Sequence, residues 1–311
     1  MGSLVAGLAT LFVFRRGLPH VGWIVGYLIL LWFLFTLFTQ IRRSLEARGQ
    51  RLVMTAADYT IQTLDHGLLL FILPGYYAST TFFSANALFF LLLVGLALLT
   101  TVDPWYRALV HPRLWAGYVL FVVSFFAALN VALPLVGVPP IWALEGSAVL
   151  SALALTPALR RGSGGWKGAW IRSGCIALLA AGLLGYLRAG IPPAPLHLAR
   201  ATAARSVTEM EPVDPFASVS EAQLRQWGEM VAYTAVYAPA GLRQPVVHIW
   251  SRNGNPVAAI PLAPVRGGRS EGFRTYSRKR DLGPDPVGRW TVDVVTASGQ
   301  LIGRLRFTVT P

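Results

Sequence analysis

The sequence predicts an α-helical transmembrane bundle, six spans plus a short N-terminal helix, followed by an all-β domain built as an immunoglobulin-like antiparallel sandwich. Three observations carry this. Of 311 residues, 54% are hydrophobic and 13% charged, with a mean hydropathy of +0.52, which leaves too little polar surface to wrap a soluble domain of this size. The apolar residues concentrate in long charge-poor runs before residue 190. Beyond residue 204 the pattern changes to short β-branched and aromatic segments separated by turn residues. The division is therefore 1–190 for the helical part, 191–203 for a Pro-rich linker and 204–311 for the β-domain. A water-soluble enzyme fits this composition poorly.

At about 1.5 Å of rise per residue against a hydrocarbon core of about 30 Å, six stretches are long enough to cross a bilayer as helices. They run near 21–39, 65–83, 85–102, 114–136, 141–158 and 172–189. An earlier apolar piece, Leu4 to Phe14, is shorter and ends in Arg15 and Arg16, which makes it a partial or interfacial helix. It has neither a basic segment before it nor a small-residue cleavage site after it, against a removable signal peptide. Pro74-Gly75 predicts a kink beside Tyr76 and Tyr77.

The net charge of +13 is mainly topological. Basic residues follow the first span (Arg42, Arg43, Arg48, Arg51), the third (Arg107, Arg113) and the fifth (Arg160, Arg161, Lys167, Arg172), while the alternate connections near Ser84 to Asn86 and Gly137 to Pro140 carry none. The positive-inside rule places the basic set in the cytoplasm and everything beyond residue 190 outside it, in a protein of the cell inner membrane. Arg15 and Arg16 violate the rule on the outer side. Trp142, Trp166, Trp170 and Tyr106 fall at span ends, where interfacial aromatics sit. The lone Cys175 lies in an apolar run and forms no intrachain disulfide. The bilayer is the first partner; nucleic acid is not one, because the basic residues do not cluster on a soluble domain.

Ile191 to Pro195 holds three prolines and ends the last helix in a stiff connector. Seven strand-like segments follow, near 204–210, 230–238, 245–251, 256–262, 271–278, 288–295 and 299–309. Asn253-Gly254-Asn255, Gly267-Gly268, Gly283-Pro284-Asp285-Pro286 and Ser298-Gly299 supply turns between them. In the last segment Leu301, Gly303, Leu305, Phe307 and Val309 alternate with Ile302, Arg304, Arg306 and Thr308, as in a half-buried strand. Without helical crossovers between strands, an antiparallel sandwich is the natural solution.

Four runs carry a resemblance: Met210-Glu211-Pro212-Val213-Asp214, Val247-His248-Ile249-Trp250, Phe273-Arg274-Thr275-Tyr276-Ser277-Arg278-Lys279 and Gly288-Arg289-Trp290-Thr291-Val292. Over roughly 204–311 the chain resembles a bacterial domain-of-unknown-function family of polytopic membrane proteins. Its C-terminal β-domain carries an H-x-W … R-T-x-S-x-K … G-x-W-x-V series. The resemblance implies that fold and no activity. Arg266-Gly267-Gly268-Arg269-Ser270-Glu271-Gly272 departs from it, as an insertion that lengthens a hairpin.

Strand parity puts His248 and Trp250 on one face of their strand, and Arg274, Tyr276 and Arg278 on one face of another. If the two faces coincide, they form an aromatic and cationic surface suited to an anionic glycan, a lipid head group or an acidic segment of an envelope protein. The alternative makes Trp250 and Trp290 core fillers, with His248 and Arg274 hydrogen-bonded at a sheet edge. Within the spans Asn86, Asn130 and Glu145 are the polar residues closest to apolar surroundings. An ionisable group there is a functional candidate, although Glu145, just past Pro139-Pro140, also fits the outer interface. Asp58, Asp65, His66, Asp103 and His111 match no metal-ligand spacing and read as solvated helix ends and loop caps. Nucleophile-elbow, Walker and Rossmann signatures are absent; no catalytic residue, metal or cofactor is expected. The function expected is therefore a membrane-anchored β-sandwich that binds a partner or envelope component, without enzymatic activity. The rival is a membrane-embedded enzyme or transporter for a lipid-linked substrate.

Overall fold

The structure, a computed structural model, describes residues 21–160 and 164–311. Leu4 to Phe14, Arg15, Arg16 and Arg161 lie outside the described residues. Among the described residues, eight α-helices precede a C-terminal β-rich region. They are α1 (Val21–Ala47), α2 (Arg51–Ser79), α3 (Asn86–Thr101), α4 (Asp103–Leu109), α5 (Leu114–Leu135), α6 (Pro140–Ala154), α7 (Thr156–Leu159) and α8 (Trp166–Tyr186). Among the described residues, three of the expected six spans are long and apolar enough to cross a membrane: Leu114–Leu135, Pro140–Leu159 and Trp166–Tyr186. The other three fall short for separate reasons. The apolar part of α1 within the described residues is Val25–Ile41. In α2 the apolar half begins only after Gln62, Asp65 and His66. The third, α3, has 16 residues and turns through 102° into α4, so the pair counts as one span only if the bend is included.

That bend has a local cause. Val102 is extended, Pro104 starts the next helix, and Asp103 stands in its first turn. From α2, Gln62 Nε2 donates to the Thr100 carbonyl and to Asp103 Oδ1, both at 2.9 Å, satisfying a carbonyl that the end of α3 leaves open. Farther along the chain, α7 and α8 are joined by a 2.7 Å hydrogen bond from Thr156 Oγ1 to Ser173 Oγ.

The chain divides into two compact units. Of the described residues, the first holds 21–75 with Phe89–Leu133 and Pro140–Leu187; the second holds Arg188–Pro311 together with Tyr76–Leu88 and Pro134–Pro139. In the second unit all seven expected segments are strands. A four-stranded sheet runs in the order β2-β1-β4-β9 (β1 His197–Thr208, β2 Glu211–Phe216, β4 Met230–Tyr237, β9 Phe273–Lys279). A five-stranded sheet runs β3-β11-β10-β6-β7 (β3 Ser218–Ser220, β6 Val246–Arg252, β7 Asn255–Pro261, β10 Gly288–Thr296, β11 Leu301–Thr310). β5 (Arg243–Gln244) and β8 (Val265–Arg266) form a small separate pair. Pairing is antiparallel except between β3 and β11. Ala203, Met230 and Ala232 from one sheet and Trp250, Trp290, Val292 and Phe307 from the other share a buried core. Rings stack there, Trp290 on Phe307 at 6.1 Å with Trp250 edge-on to both.

Three features depart from the expectation. The first strand starts at His197 rather than near 204, and residues 191–196, expected as an extended connector, are buried. A helix, α9 (Glu221–Trp227), follows β3; its Ser220 cap accepts from Gln223 N, and Gly228 closes it at φ 70°. Ile302, assigned to the outer face, is buried, because the β10–β11 register slips between Val294 and Val295 and leaves Ile302 unmatched.

Candidate functional site

The residues read from the sequence as one recognition face lie on opposite sides of a sheet. His248 and Trp250 project from β6 into the core between the two sheets, both fully buried. Opposite them β9 turns Thr275 and Ser277 inward, both buried, which sends Arg274, Tyr276 and Arg278 outward. Ser277 Oγ accepts from Trp250 Nε1 at 2.9 Å and lies 2.8 Å from His248 Nδ1, while His248 Nε2 lies 3.1 Å from Thr234 Oγ1 on β4. The neutral tautomer that completes this network carries its hydrogen on Nε2, donating to Thr234, and accepts at Nδ1 from the Ser277 hydroxyl. Burial pushes the His248 imidazole down to about 4, so it stays neutral at physiological pH. The His, Trp and Ser of the motif series thus form a polar clasp between the two sheets.

On the outer face, Arg274 bridges Glu211 of β2 at 2.6 Å and Glu271 at 3.2 Å, and Arg200 reaches the same Glu211 at 3.0 Å. Arg278 and Arg280 share Glu229, at 3.6 and 3.2 Å, and the Arg278 guanidinium stands 5.9 Å from the Tyr276 ring. Beside this ladder, at the insertion, a shallow groove is lined by Met210, Arg269, Glu271, Phe273 and Arg274, with the Arg269 guanidinium 5.2 Å over the Phe273 ring. Residues 266–272 therefore create a concave cationic and aromatic feature next to Arg274.

The three intramembrane candidates are not gathered into one site. Asn86 is buried in the second unit at the start of α3, where Oδ1 accepts from Thr81 N at 3.1 Å and Ser84 Oγ at 2.6 Å, and Nδ2 donates to the Leu301 carbonyl at 3.3 Å. Asn130, buried on α5, and Glu145, partly exposed on α6, belong to the first unit. Gly185 of α8 passes close to Glu145, since a Cβ there would lie 3.6 Å from its Oε1.

The first unit holds a cavity of about 350 Å3 that the sequence did not reveal. Asp58, Asp65, Tyr106, His111, Arg113 and Arg172 supply most of its polar lining, with Thr39 and Tyr118, and Phe35, Phe38, Val110 and Leu114 part of its apolar walls. Asp65 and His66 are 1% and 2% exposed, which corrects their reading as solvated helix ends; α2 continues past them instead of ending there. Tyr106, expected at the interface, is also buried. His111 Nε2 pairs with Asp58 at 3.0 Å. His66 faces away from the cavity lining, its Nδ1 3.2 Å from Thr101 Oγ1. Among the described residues no group of three or more His, Cys, Asp or Glu is placed to hold a metal. The helical spacing from Asp58 to Asp65, two turns along α2, was the available signal; it was obscured because the cations of the lining come from α8 (Arg172) and from the segment between α4 and α5 (His111, Arg113).

These features define a chain of apolar helices with a β-rich C-terminal unit, and the comparisons place it. It belongs to the Family of unknown function (DUF5924), whose model matches residues 1–231. Residues 243–309 match a second model, Protein of unknown function (DUF2914), which spans the His248, Arg274 and Trp290 motifs. The chain matches no curated protein and no solved structure.

Proposed function

We propose that this chain is an integral protein of the cell inner membrane whose helical part anchors an extracytoplasmic, immunoglobulin-like β-sandwich. The sandwich recognises an anionic glycan, a lipid head group or an acidic segment of an envelope protein, without catalysing a reaction. The observation that carries the recognition role is the groove at the insertion, where Arg269, Phe273 and Arg274 meet exposed Met210. Cationic and aromatic side chains on a concave surface match an anionic partner.

Membrane insertion is supported by the large apolar side chains left exposed along the helices, among them Ile29, Phe33, Leu88, Leu178 and Leu179. Six crossings follow if α1, α2 and the bent α3–α4 pair are added to the three long apolar helices. The basic-free connections Tyr76–Leu88 and Pro134–Pro139 fall in the same compact unit as the β-domain, which agrees with one side of the membrane for all three. A periplasmic-only reporter fused after Pro311 should be active, and a cytoplasmic-only reporter inserted between Gly162 and Gly165 should be active. A cytoplasmic C-terminus would overturn the orientation. For recognition, the purified chain titrated with a panel of anionic glycans should bind at least one, and the double change Arg269→Ser and Arg274→Ser should abolish that binding.

The cavity around Asp65 favours a second reading, a membrane-embedded enzyme or transporter acting on a lipid-linked substrate with the β-domain as accessory. A buried carboxyl group lining the same cavity as two exposed arginines is a ligand-sized polar site inside an apolar bundle.

A further inference from the structure

The cavity of the first unit is polarised along its depth. Asp65, 1% exposed, lines it; its Oδ1 lacks a hydrogen bond of ordinary geometry, and the buried Ser124 hydroxyl, itself without another partner, is the side chain that acts on this carboxyl group. The exposed part of its lining includes His111, Arg113 and Arg172; Arg113 donates through Nη1 to the Ala108 and Leu109 carbonyls, which fixes its guanidinium with Nε and Nη2 left for a ligand. Phe35, Phe38 and Tyr106, all buried, are among the aromatic rings that line the same cavity. A buried carboxylate oxygen without a well-placed donor is costly to leave unsatisfied, so its presence in the lining of a cavity points to a donor that arrives with a ligand.

The arrangement of charge selects the ligand. A simple cation would reach Asp65 but pass two guanidiniums, and a simple anion would suit the rim but meet a carboxylate at the base. A zwitterion with its cation leading satisfies both ends. An ammonium offers three donors in a compact head and gains from the surrounding rings, and a phosphate matches the planar guanidinium fork. At about 350 Å3 the cavity stands at the lower end of the range of small-molecule sites, about 300–1,000 Å3, which suits a head group more than a whole amphiphile.

We propose that this cavity binds the phosphoethanolamine group, its primary ammonium held by Asp65 and its phosphate by Arg113 and Arg172. His111 pairs with the second carboxylate of the lining, Asp58, at 3.0 Å, which leaves Asp65 as the acceptor for the ammonium. Arg113 and Arg172 belong to the basic set expected at the cytoplasmic face, so a lipid carrying this group would enter from the cytoplasmic leaflet. The site rests on the second reading above for its lipid source, and on the cavity alone for its chemistry.

The test uses the full chain purified in detergent free of amine-bearing lipid, titrated with four probes. These are free phosphoethanolamine, short-chain phosphatidylethanolamine, phosphatidylcholine and phosphatidylglycerol. Both ethanolamine compounds should bind, and the choline lipid, whose methylated nitrogen donates no hydrogen bond, and the glycerol lipid should bind at least about tenfold more weakly. Tighter binding of the ethanolamine lipid than of the free compound assigns a membrane source, and equal affinity assigns a soluble one. Asp65→Asn, nearly isosteric, should weaken binding by about 30-fold or more. Gly117→Leu, which builds a side chain into the lining from a position where a Cβ has room, should block binding with every charge retained. Equal binding of all four probes, no binding of any, or an Asp65→Asn variant that binds like the parent would overturn the site. The selectivity of the unaltered chain decides the matter even if a variant fails to fold. A cytoplasmic C-terminus in the reporter experiment would overturn the orientation and leave this site standing.

Discussion

At the scale of single residues, the motif series is explained by packing. His248, Trp250 and Ser277 exchange hydrogen bonds in a volume that water does not reach, so each is required by the others rather than by a ligand. Protonating His248 would place a second hydrogen between Nδ1 and a Ser277 hydroxyl that already accepts from Trp250. The consequence is a pH dependence with a defined sign. The folded state holds this imidazole down at about 4 against an ordinary 6.5, so the unfolded chain takes up the proton first. The stability associated with neutral His248 is complete above pH 6.5 and is lost as pH falls from there toward 4, an amount on the order of 3 kcal/mol. Chemical denaturation between pH 7 and pH 4 should show this slope, and His248→Gln should flatten it while lowering stability at pH 7 by roughly 1–3 kcal/mol. A slope unchanged by the substitution would reject the assignment. Arg274 and Arg278 contrast with this. Their ion pairs lie on a solvated face and contribute roughly 0–1 kcal/mol each, so changing both to Ala should leave the melting temperature nearly unaltered. A loss of several degrees would mean that the ladder is structural and not available to a partner.

At the scale of elements, the strands were legible because their signal is local. Alternation and turn chemistry located all seven segments, and on β11 the inward set Leu301, Leu305, Phe307 and Val309 is buried as the period requires. The missed strands are short or awkward. β2 contains Pro212 and Pro215, tolerable because it is an edge strand, and β3 is three residues long. The missed helix α9 did have a signature, Ser220 and Gln223 at capping spacing with Gly228 after its end. Gly267 shows how a turn glycine acquires a second duty. Its amide donates to the Leu242 carbonyl at 2.9 Å, and a Cβ at this position would collide with the backbone of Pro239, a group that cannot rotate aside. Gly267→Ala should therefore cost roughly 1–3 kcal/mol in an equilibrium melt. A neutral result would place the backbone of Pro239 farther away than it stands here.

At the scale of the molecule, the two compact units differ in what stabilises them. The second has its own core, with Trp250, Trp290 and Phe307 at one end and Leu196, Val236, Val294 and Ile302 at the other. Because Ile191, Ala194 and Leu196 are buried, a fragment beginning inside the proline run would expose core residues; one spanning 188–311 keeps them. That fragment should express as a soluble, β-rich unit with a cooperative melt, since about 120 residues with two sheets suffice for a core. Among the links it loses to Tyr76–Leu88 are two long hydrogen bonds, 3.3 Å from Asn86 to Leu301 and 3.4 Å from Arg306 to Phe82, which contribute little. Helix-dominated circular dichroism, or the absence of a transition, would contradict this autonomy.

The sequence by itself determined the order of the chain: apolar helices first, strands afterwards, with the positions of the long helices α5, α6 and α8 and of the main strands. It could do so because apolar run length and alternation are properties of neighbouring residues. It also located the Arg274, Tyr276 and Arg278 face, since parity follows from position along a strand. Only the tertiary structure decided that His248 and Trp250 face the other way. Which side of a sheet is inward depends on the sheet packed against it, and β6 and β9 are 20 residues or more apart in the chain. The tertiary structure alone brought Asp65 of α2 into one cavity with Arg113 and Arg172, because which helices pack together follows no sequence period. At the end of the third apolar run, Asp103-Pro104 starts a new helix locally, and it is the tertiary structure that sets α4 at 102° to α3, with Gln62 of α2 bonded to both.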